Sequence, residues 1–313
     1  MKQTKWVTVT LNPAIDLSAT ANGFAVNQVN TVREEQRDAA GKGINVGRVL
    51  SDLGAQVTLT GFLGQNNSEL FEAMFKQRGL NNNFVMVAGT NRTNIKIHDS
   101  SGDTTDINFN GFAVTQDDIK LLHKRLLKLA NTHQGFIFSG SLPSNLDPHI
   151  VVSWIKELKS LGKKVVLDSS KEMLRQGISA KPWMIKPNET EISELLGKPI
   201  VTVSEGAAAA MELVNQGIDN VLLSMGEKGL IWVNQKQVLL STPPVLKPVS
   251  TVGAGDSVVA AFCWASQFNQ PNKQLANATA MGALAVSQTG VGLSSPAELE
   301  AMLKRIKVKE YKA

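Results

Sequence analysis

From about residue 115 onward, short unbroken apolar runs alternate with amphipathic stripes, and this pattern fixes most of what the chain can become. The runs are Gly135-Phe136-Ile137-Phe138, Val165-Val166-Leu167, Trp183-Met184-Ile185 and Val221-Leu222-Leu223. Between them Ile119, Leu122, Leu126 and Leu129 form one helical stripe, and Ile150, Trp154, Leu158 and Leu161 a second. An Ala-rich helix spans roughly 205–215, and Thr115 followed by Asp118 reads as a helix start. Strands that are apolar on both sides need cover on both faces, so the pattern predicts a mostly parallel sheet between two helical layers. With 313 residues, 42% of them hydrophobic, the chain can bury one large α/β core, and a single domain over 1–313 is expected.

The first third departs from this rhythm. Trp6 to Leu11 alternates apolar and polar, which is a strand pattern. Residues 12–35 are polar and irregular. Residues 90–112 carry Ile95, Ile97, Ile107 and Phe109 at every-other spacing around the turn Asp99-Ser100-Ser101-Gly102-Asp103, which predicts a hairpin outside the main sheet. A small sheet from about 12–35 and 90–112 suits a lid. Its apolar face needs a partner, so a homodimer through the lid is expected; a plain surface hairpin is the alternative.

The net charge of +5 suits an anionic ligand, but the basic residues are dispersed and Tyr311 is the one tyrosine, so no stacking platform for nucleic acid is present. The basic cluster from Lys304 to Lys312 reads as a solvated helix end. No run approaches the ~20 apolar residues of a membrane span, and no secretory pattern is seen, which places the protein in the cytoplasm as an expectation. Cys263 lies in an apolar helical run and reads as core. His98, His123, His133 and His149 share no metal-ligand spacing and read as surface residues.

Ligands of open α/β sheets bind beyond the carboxyl ends of the strands. Here four such ends are polar: Ser139-Gly140-Ser141, Asp168-Ser169-Ser170, Lys186-Pro187-Asn188 and Ser224-Met225-Gly226. Together they predict one polar rim, although each is also an acceptable helix cap. The strongest local feature is Ser250-Thr251-Val252-Gly253-Ala254-Gly255-Asp256-Ser257, followed at once by a small, apolar helix. Its glycines let the backbone approach a ligand closely, and the helix start points amides at an anion. Asp256 reads either as an N-cap or as a general base held ionised by the helix N-terminus, acting beside a loose phosphoryl-transfer transition state. A second cluster, Ala39-Ala40-Gly41-Lys42-Gly43-Ile44-Asn45-Val46-Gly47, matches neither a Walker A loop nor a dinucleotide fingerprint, and no clear strand precedes it. Lys42 and Asn45 there suit an anionic or hydroxylated ligand, or a plain helix entry. Asn188 and Glu191 sit three apart at a helix start, fit either for capping or for a Mg²⁺-bound water.

These motifs, in this order and over nearly the whole chain, resemble the PfkB, or ribokinase-like, carbohydrate kinases: Ala40 to Val46, Asn188 to Glu191, and Ser250 to Asp256. Thr10-Leu11-Asn12-Pro13-Ala14-Ile15-Asp16 resembles the signature of the phosphosugar branch. Thr105 to Phe112, Leu167 to Ser170 and Trp183 to Asn188 resemble, within that branch, the kinases of fructose 1-phosphate. Tagatose 6-phosphate and fructose 6-phosphate kinases share much of the pattern. The resemblance implies a three-layer α/β/α sandwich with a small β-sheet lid, and ATP-dependent phosphorylation of a sugar phosphate. It implies Asp256 as base, with the amides of Gly253, Ala254 and Gly255 around the moving phosphoryl group. Asp16, Gly41, Lys42, Asn45 and Ser141 would contact the sugar, and Arg92 its phosphate. Lys186, Asn188, Ser224, Gly226, Gly229, Ser250, Thr251, Val252 and Ser287 would join the glycine loop around ATP. Glu191 would support Mg²⁺ through water, and a response to K⁺ belongs to the same implication.

Overall fold

The computed structural model describes residues 4–311. A sheet of eleven strands forms the middle layer. From one edge it runs Lys307–Glu310, Gln237–Thr242, Leu230–Asn234, Asn220–Ser224, Met184–Ile185, Lys164–Asp168, Gly135–Ser139, Lys5–Thr10, Gln56–Gly64 and Asn81–Asn82, with Val85–Val87 also beside Gln56–Gly64. The strands from Asn220–Ser224 to Gln56–Gly64 are parallel, and the three beyond Asn220–Ser224 are antiparallel.

The alternation of side chains along each strand divides the core in two. Val7, Val9, Phe136, Phe138, Val165 and Leu167 face the helices Gln116–Ala130 and Pro148–Ser160, with Val203–Asn215 further along the same face. Trp6, Ile137, Val166, Met184 and Leu222 face the helices Lys42–Asp52, Ala254–Ala265 and Pro271–Val286. The expected three-layer sandwich with a mostly parallel sheet is therefore the observed one. Thr115 and Asp118 form a reciprocal capping box. Cys263 is fully buried, and burial pushes its thiol pKa far up, as suits an inert core residue.

The small sheet is also present, with four strands in the order Val32–Ala40, Ala14–Ala21, Arg92–Asp99, Thr104–Asn108. Two of its strands were not legible. Ala14–Ala21 falls wholly, and Val32–Ala40 partly, in the stretch 12–35 that reads as irregular, and the second runs straight into Gly41, where no strand was expected. The reason is solvation: Val32 to Arg37 are exposed, so no apolar alternation marks the strand.

Two further readings need correction. Lys307–Glu310 is an edge strand paired with Gln237–Thr242, not a helix end; Val308 packs on the core while its lysine neighbours guard an edge. Lys312 lies outside the described residues. His133 is buried, not on the surface. Its Nε2 lies 3.1 Å from Thr58 Oγ1, its Nδ1 is 3.0 Å from the Leu129 carbonyl, and burial lowers its pKa. Among the described residues, no helix is long and apolar enough to cross a membrane.

Candidate active site

The parallel strands end on one side, beneath the small sheet, around a cavity of about 1150 Å³. Its wall includes Asp16, Gly41, Lys42, Asn45, Arg92, Lys186, Asn188, Glu191, Ser224, Gly226, Gly229, Thr251, Val252, Gly253, Ala254, Gly255 and Asp256. Residues spread over the whole sequence thus converge because the ends of Met184–Ile185 and Asn220–Ser224, the starts of the helices Lys42–Asp52, Glu189–Leu196 and Ala254–Ala265, and the near end of the small sheet share a single space. Ser141, Ser250 and Ser287 are not in the wall. Ser141 is exposed, with its hydroxyl 3.4 Å from Asn12 Nδ2; Ser250 Oγ accepts from the Val252 amide; Ser287 Oγ donates back to the Ala283 carbonyl. A second hollow of about 600 Å³ on the helix Val203–Asn215 is lined by Ala207, Ala208, Met211, Glu212, Asn215, Gln216 and Val238, and holds none of the residues expected at a site.

Gly253 is the N-cap of the helix Ala254–Ala265, in the left-handed region at φ 75°. No other residue fits: a Cβ there would stand 2.3 Å from Val291 Cγ2. Among the described residues, the amides of Gly253, Gly255 and Asp256 find no backbone acceptor, as suits the first turn of a helix, so they are available to an anion, whereas the Ala254 amide, expected to join them, donates to the Thr251 carbonyl at 3.4 Å. A Cβ on Gly255 would lie 3.1 Å from Lys186 Nζ, so the bare backbone there lets the ammonium group sit close to the helix start.

Asp256 is in the first turn, not at the N-cap, so capping does not explain it. Its carboxylate is 5% exposed and accepts a hydrogen bond from Asn45 Nδ2 at 2.8 Å. Nor does the helix terminus leave it a weak base. Burial, reinforced by the charge of Asp168, raises its pKa to about 6, against the pull of Asn45, Lys42 and Lys186. Asp168 goes the other way. Burial alone would raise it too, but Lys186 Nζ at 3.4 Å, the charge of Lys42 and a 2.9 Å bond from Ser139 Oγ outweigh that and hold it below the usual range. Two nearby carboxylates pushed apart in this way separate a proton acceptor from a fixed anion. Lys42 is drawn up by Asp168 first, then by Asp256 and Glu191.

The lid edge supplies the other end of the cavity. The parallel register sets Ala14 beside Arg92 and Asp16 beside Asn94. Asn94 Nδ2 donates to Asp16 Oδ1 at 2.8 Å, and Arg92 Nε donates to the Asn12 carbonyl at 3.3 Å. Burial raises the Asp16 pKa against Asn94 and Arg92. Sequence reasoning missed Asn94 and the buried role of Asp168. The every-other spacing that placed Ile95 and Ile97 also puts Asn94 on the Arg92 face. It also missed the apolar wall of Pro243, Pro244, Leu246, Ala283 and Val286, for which the paired prolines after Thr242 were the available cue.

Asn188 and Glu191 form a reciprocal capping box: Asn188 Oδ1 accepts from the Glu191 amide at 2.8 Å, and Glu191 Oε2 accepts from the Asn188 amide at 3.0 Å. One Glu191 oxygen is thereby committed, and Glu191 lines the cavity. Among the described residues, no cluster of three or more acidic, His or Cys side chains could cage a metal. A lone carboxylate at a phosphate site nevertheless fits Mg²⁺, which keeps most of its waters and is carried by the nucleotide.

A buried carboxylate beside free helix amides and an ammonium group in one cavity suits phosphoryl transfer to an alcohol acceptor. The sequence profile of the pfkB family carbohydrate kinases matches residues 7–298, and the chain belongs to that family. It is 45% identical over 305 residues to a 1-phosphofructokinase of Vibrio cholerae, covering 97% of this chain and 96% of the relative. The fold matches phosphofructokinase-2 of Escherichia coli, solved with substrates and products, at a TM-score of 0.88 and 24% identity over 96% of this chain and 98% of that one. It also matches a ribokinase of Thermotoga maritima at 0.79 and 20%, over 96% and 99%.

Proposed function

We propose that the protein transfers the γ-phosphoryl group of ATP to fructose 1-phosphate, giving ADP and fructose 1,6-bisphosphate. The observation that carries a phosphosugar acceptor is Arg92 in the wall of the same cavity as Asp256 and the free amides of the first helical turn. The choice of fructose 1-phosphate follows the similarity to the Vibrio cholerae enzyme over nearly the whole length of both chains.

In this reading Arg92 holds the sugar's own phosphate through its planar fork. Asp16, fixed by Asn94, binds sugar hydroxyls together with Gly41, Lys42 and Asn45. Asp256 accepts the proton of the attacking hydroxyl as its oxygen bonds to the γ-phosphorus, and the bond to the ADP oxygen breaks. Lys186 and the amides of Gly255 and Asp256 face the charge spread over the migrating group. Asn188, Ser224, Gly226, Gly229, Thr251 and Val252 line the nucleotide's part of the cavity. Mg²⁺ would neutralise phosphate charge when bound, and Glu191 would hold it through a water. K⁺ dependence belongs to this proposal, and equal turnover in K⁺ and Na⁺ buffers would remove it.

The small sheet closes on the sugar and, we infer, pairs two copies. Its Ile107 and Phe109 are 40% and 54% exposed, an apolar surface that a second sheet would cover. A light-scattering mass of one chain at micromolar concentration would refute the pairing.

An assay of ADP release with fructose 1-phosphate, fructose 6-phosphate and tagatose 6-phosphate tests the substrate. Fructose 1-phosphate should give a kcat/KM at least about tenfold above the others, a gap that one or two hydrogen bonds can produce. A clear preference for either 6-phosphate would reassign the substrate and leave the family intact.

A further inference from the structure

The turn at residues 290–293 packs against Gly253: a Cβ on that glycine would meet Val291 Cγ2 at 2.3 Å and two further Val291 carbons at 3.4 Å. What holds the turn is not the helix it supports but a different one, Lys42–Asp52. Arg48 Nη2 donates to the Val291 carbonyl at 3.0 Å. Asp52 Oδ2 accepts from the Leu293 amide at 3.0 Å, and Asp52 Oδ1 pairs with Arg78 Nη1 at 3.0 Å. Between these two anchors Gly292 has φ 139°, and a Cβ there would stand 2.7 Å from Asp52 Oδ2, so the backbone lies directly on the carboxylate. Gln288 Nε2 closes the turn on the Gly292 carbonyl at 2.9 Å. The first turn of the same helix Lys42–Asp52 carries Asn45, which bonds Asp256. One rigid helix therefore fixes both the carboxylate and the floor beneath the amide cradle.

We propose that Arg48 and Asp52 are positioning residues for phosphoryl transfer. They touch no substrate; they hold the 290–293 turn so that Val291 keeps Gly253, and with it the amides of Gly255 and Asp256, aimed at the migrating group. This rests on the reading of those amides as the phosphoryl cradle. Amides that bind transition-state charge act through geometry, and a displacement of about 1 Å can cost a hundredfold in rate without weakening ground-state binding.

The test compares Asp52→Leu, Asp52→Asn and Val291→Ala with the wild type, in the full chain, using whichever sugar phosphate the wild type turns over best. Asp52→Leu removes the acceptor of the Leu293 amide, whereas Asp52→Asn retains one. The proposal expects kcat to fall about tenfold or more in Asp52→Leu and Val291→Ala, with KM for ATP and for the sugar phosphate within about twofold. Asp52→Asn should recover most of the rate. Because both changes act on one element, the double variant Asp52→Leu/Val291→Ala should be little worse than the poorer single one. Wild-type kcat in folded Asp52→Leu and Val291→Ala, a loss confined to KM, or effects that multiply would overturn it. If Asp52→Leu fails to fold, Val291→Ala decides by the same kcat and KM criteria. Asp256→Asn, run alongside, separates the two ideas: an active Asp256→Asn refutes the underlying reading. An inactive one beside unimpaired Asp52→Leu and Val291→Ala refutes only this inference.

Discussion

Asp256→Asn will lower kcat by about three orders of magnitude while ATP binding stays within a few-fold of wild type, because a positioned base contributes about 10²–10⁴ in rate. The substitution preserves shape, and an amide oxygen at 256 can still accept from Asn45 Nδ2, now at 2.8 Å from the carboxylate. Only the capacity to take a proton is removed. The wild type should also lose activity as pH falls through the region of its raised pKa, about 6, where Asp256 protonates.

Stability should move the opposite way. A carboxyl whose folded pKa lies above its unfolded value of 3.8 adds stability that is full below that value and is lost as pH rises through about 6. At pH 8 the ionised Asp256 is therefore a burden on the fold, and the Asn variant should melt above the wild type, with the gap narrowing toward pH 5. Thermal unfolding across pH 5–8 checks the sign; a variant that melts below wild type at pH 8 would contradict the assignment of burial and Asp168 as the cause.

Arg92→Ala will raise the KM for the sugar phosphate about a hundredfold and that for ATP by less than about threefold. Loss of one partner from a partly buried, charge-assisted pair costs about 2–5 kcal/mol, which spans that factor. Arg92 reaches the cavity from the lid edge and bonds the Asn12 carbonyl through Nε at 3.3 Å, which leaves its terminal nitrogens for the phosphate. Arg92→Lys keeps the charge but not the fork and should recover only part of the loss. Steady-state kinetics with each substrate varied in turn measures both. Parallel rises in the two KM values would take Arg92 out of the phosphate site.

The legible parts of this protein were those whose physics is local. Val165-Val166-Leu167 must be a covered strand because every residue is apolar, and Gly253 must precede a helix in a tight turn. The polar strand ends were legible as a rim, and Ser139, Asp168 and Lys186 do meet there through bonds of 2.9 and 3.4 Å. What stayed hidden depended on partners remote in sequence. The basicity of Asp256 depends on Asp168 and on burial beneath a helix layer, so its own neighbours suggested the wrong direction. Val32–Ala40 gave no strand signal because solvent bathes its first six residues. His133 sits between the polar residues Thr132 and Gln134; its partner Thr58, on the strand Gln56–Gly64, shows why it is inside. The anchors Arg48 and Asp52 belong to no motif, and their targets lie near the other end of the chain.

The mechanism turns on where the Asp256 carboxylate points when both substrates are in place. A crystal structure with fructose 1-phosphate and a non-hydrolysable ATP analogue measures it directly. The expected result is an Asp256 oxygen within about 3 Å of the sugar hydroxyl at C6, with that hydroxyl in line with the γ-phosphorus. An Asp256 turned from the sugar, with another group or only water at the C6 hydroxyl, would contradict the mechanism.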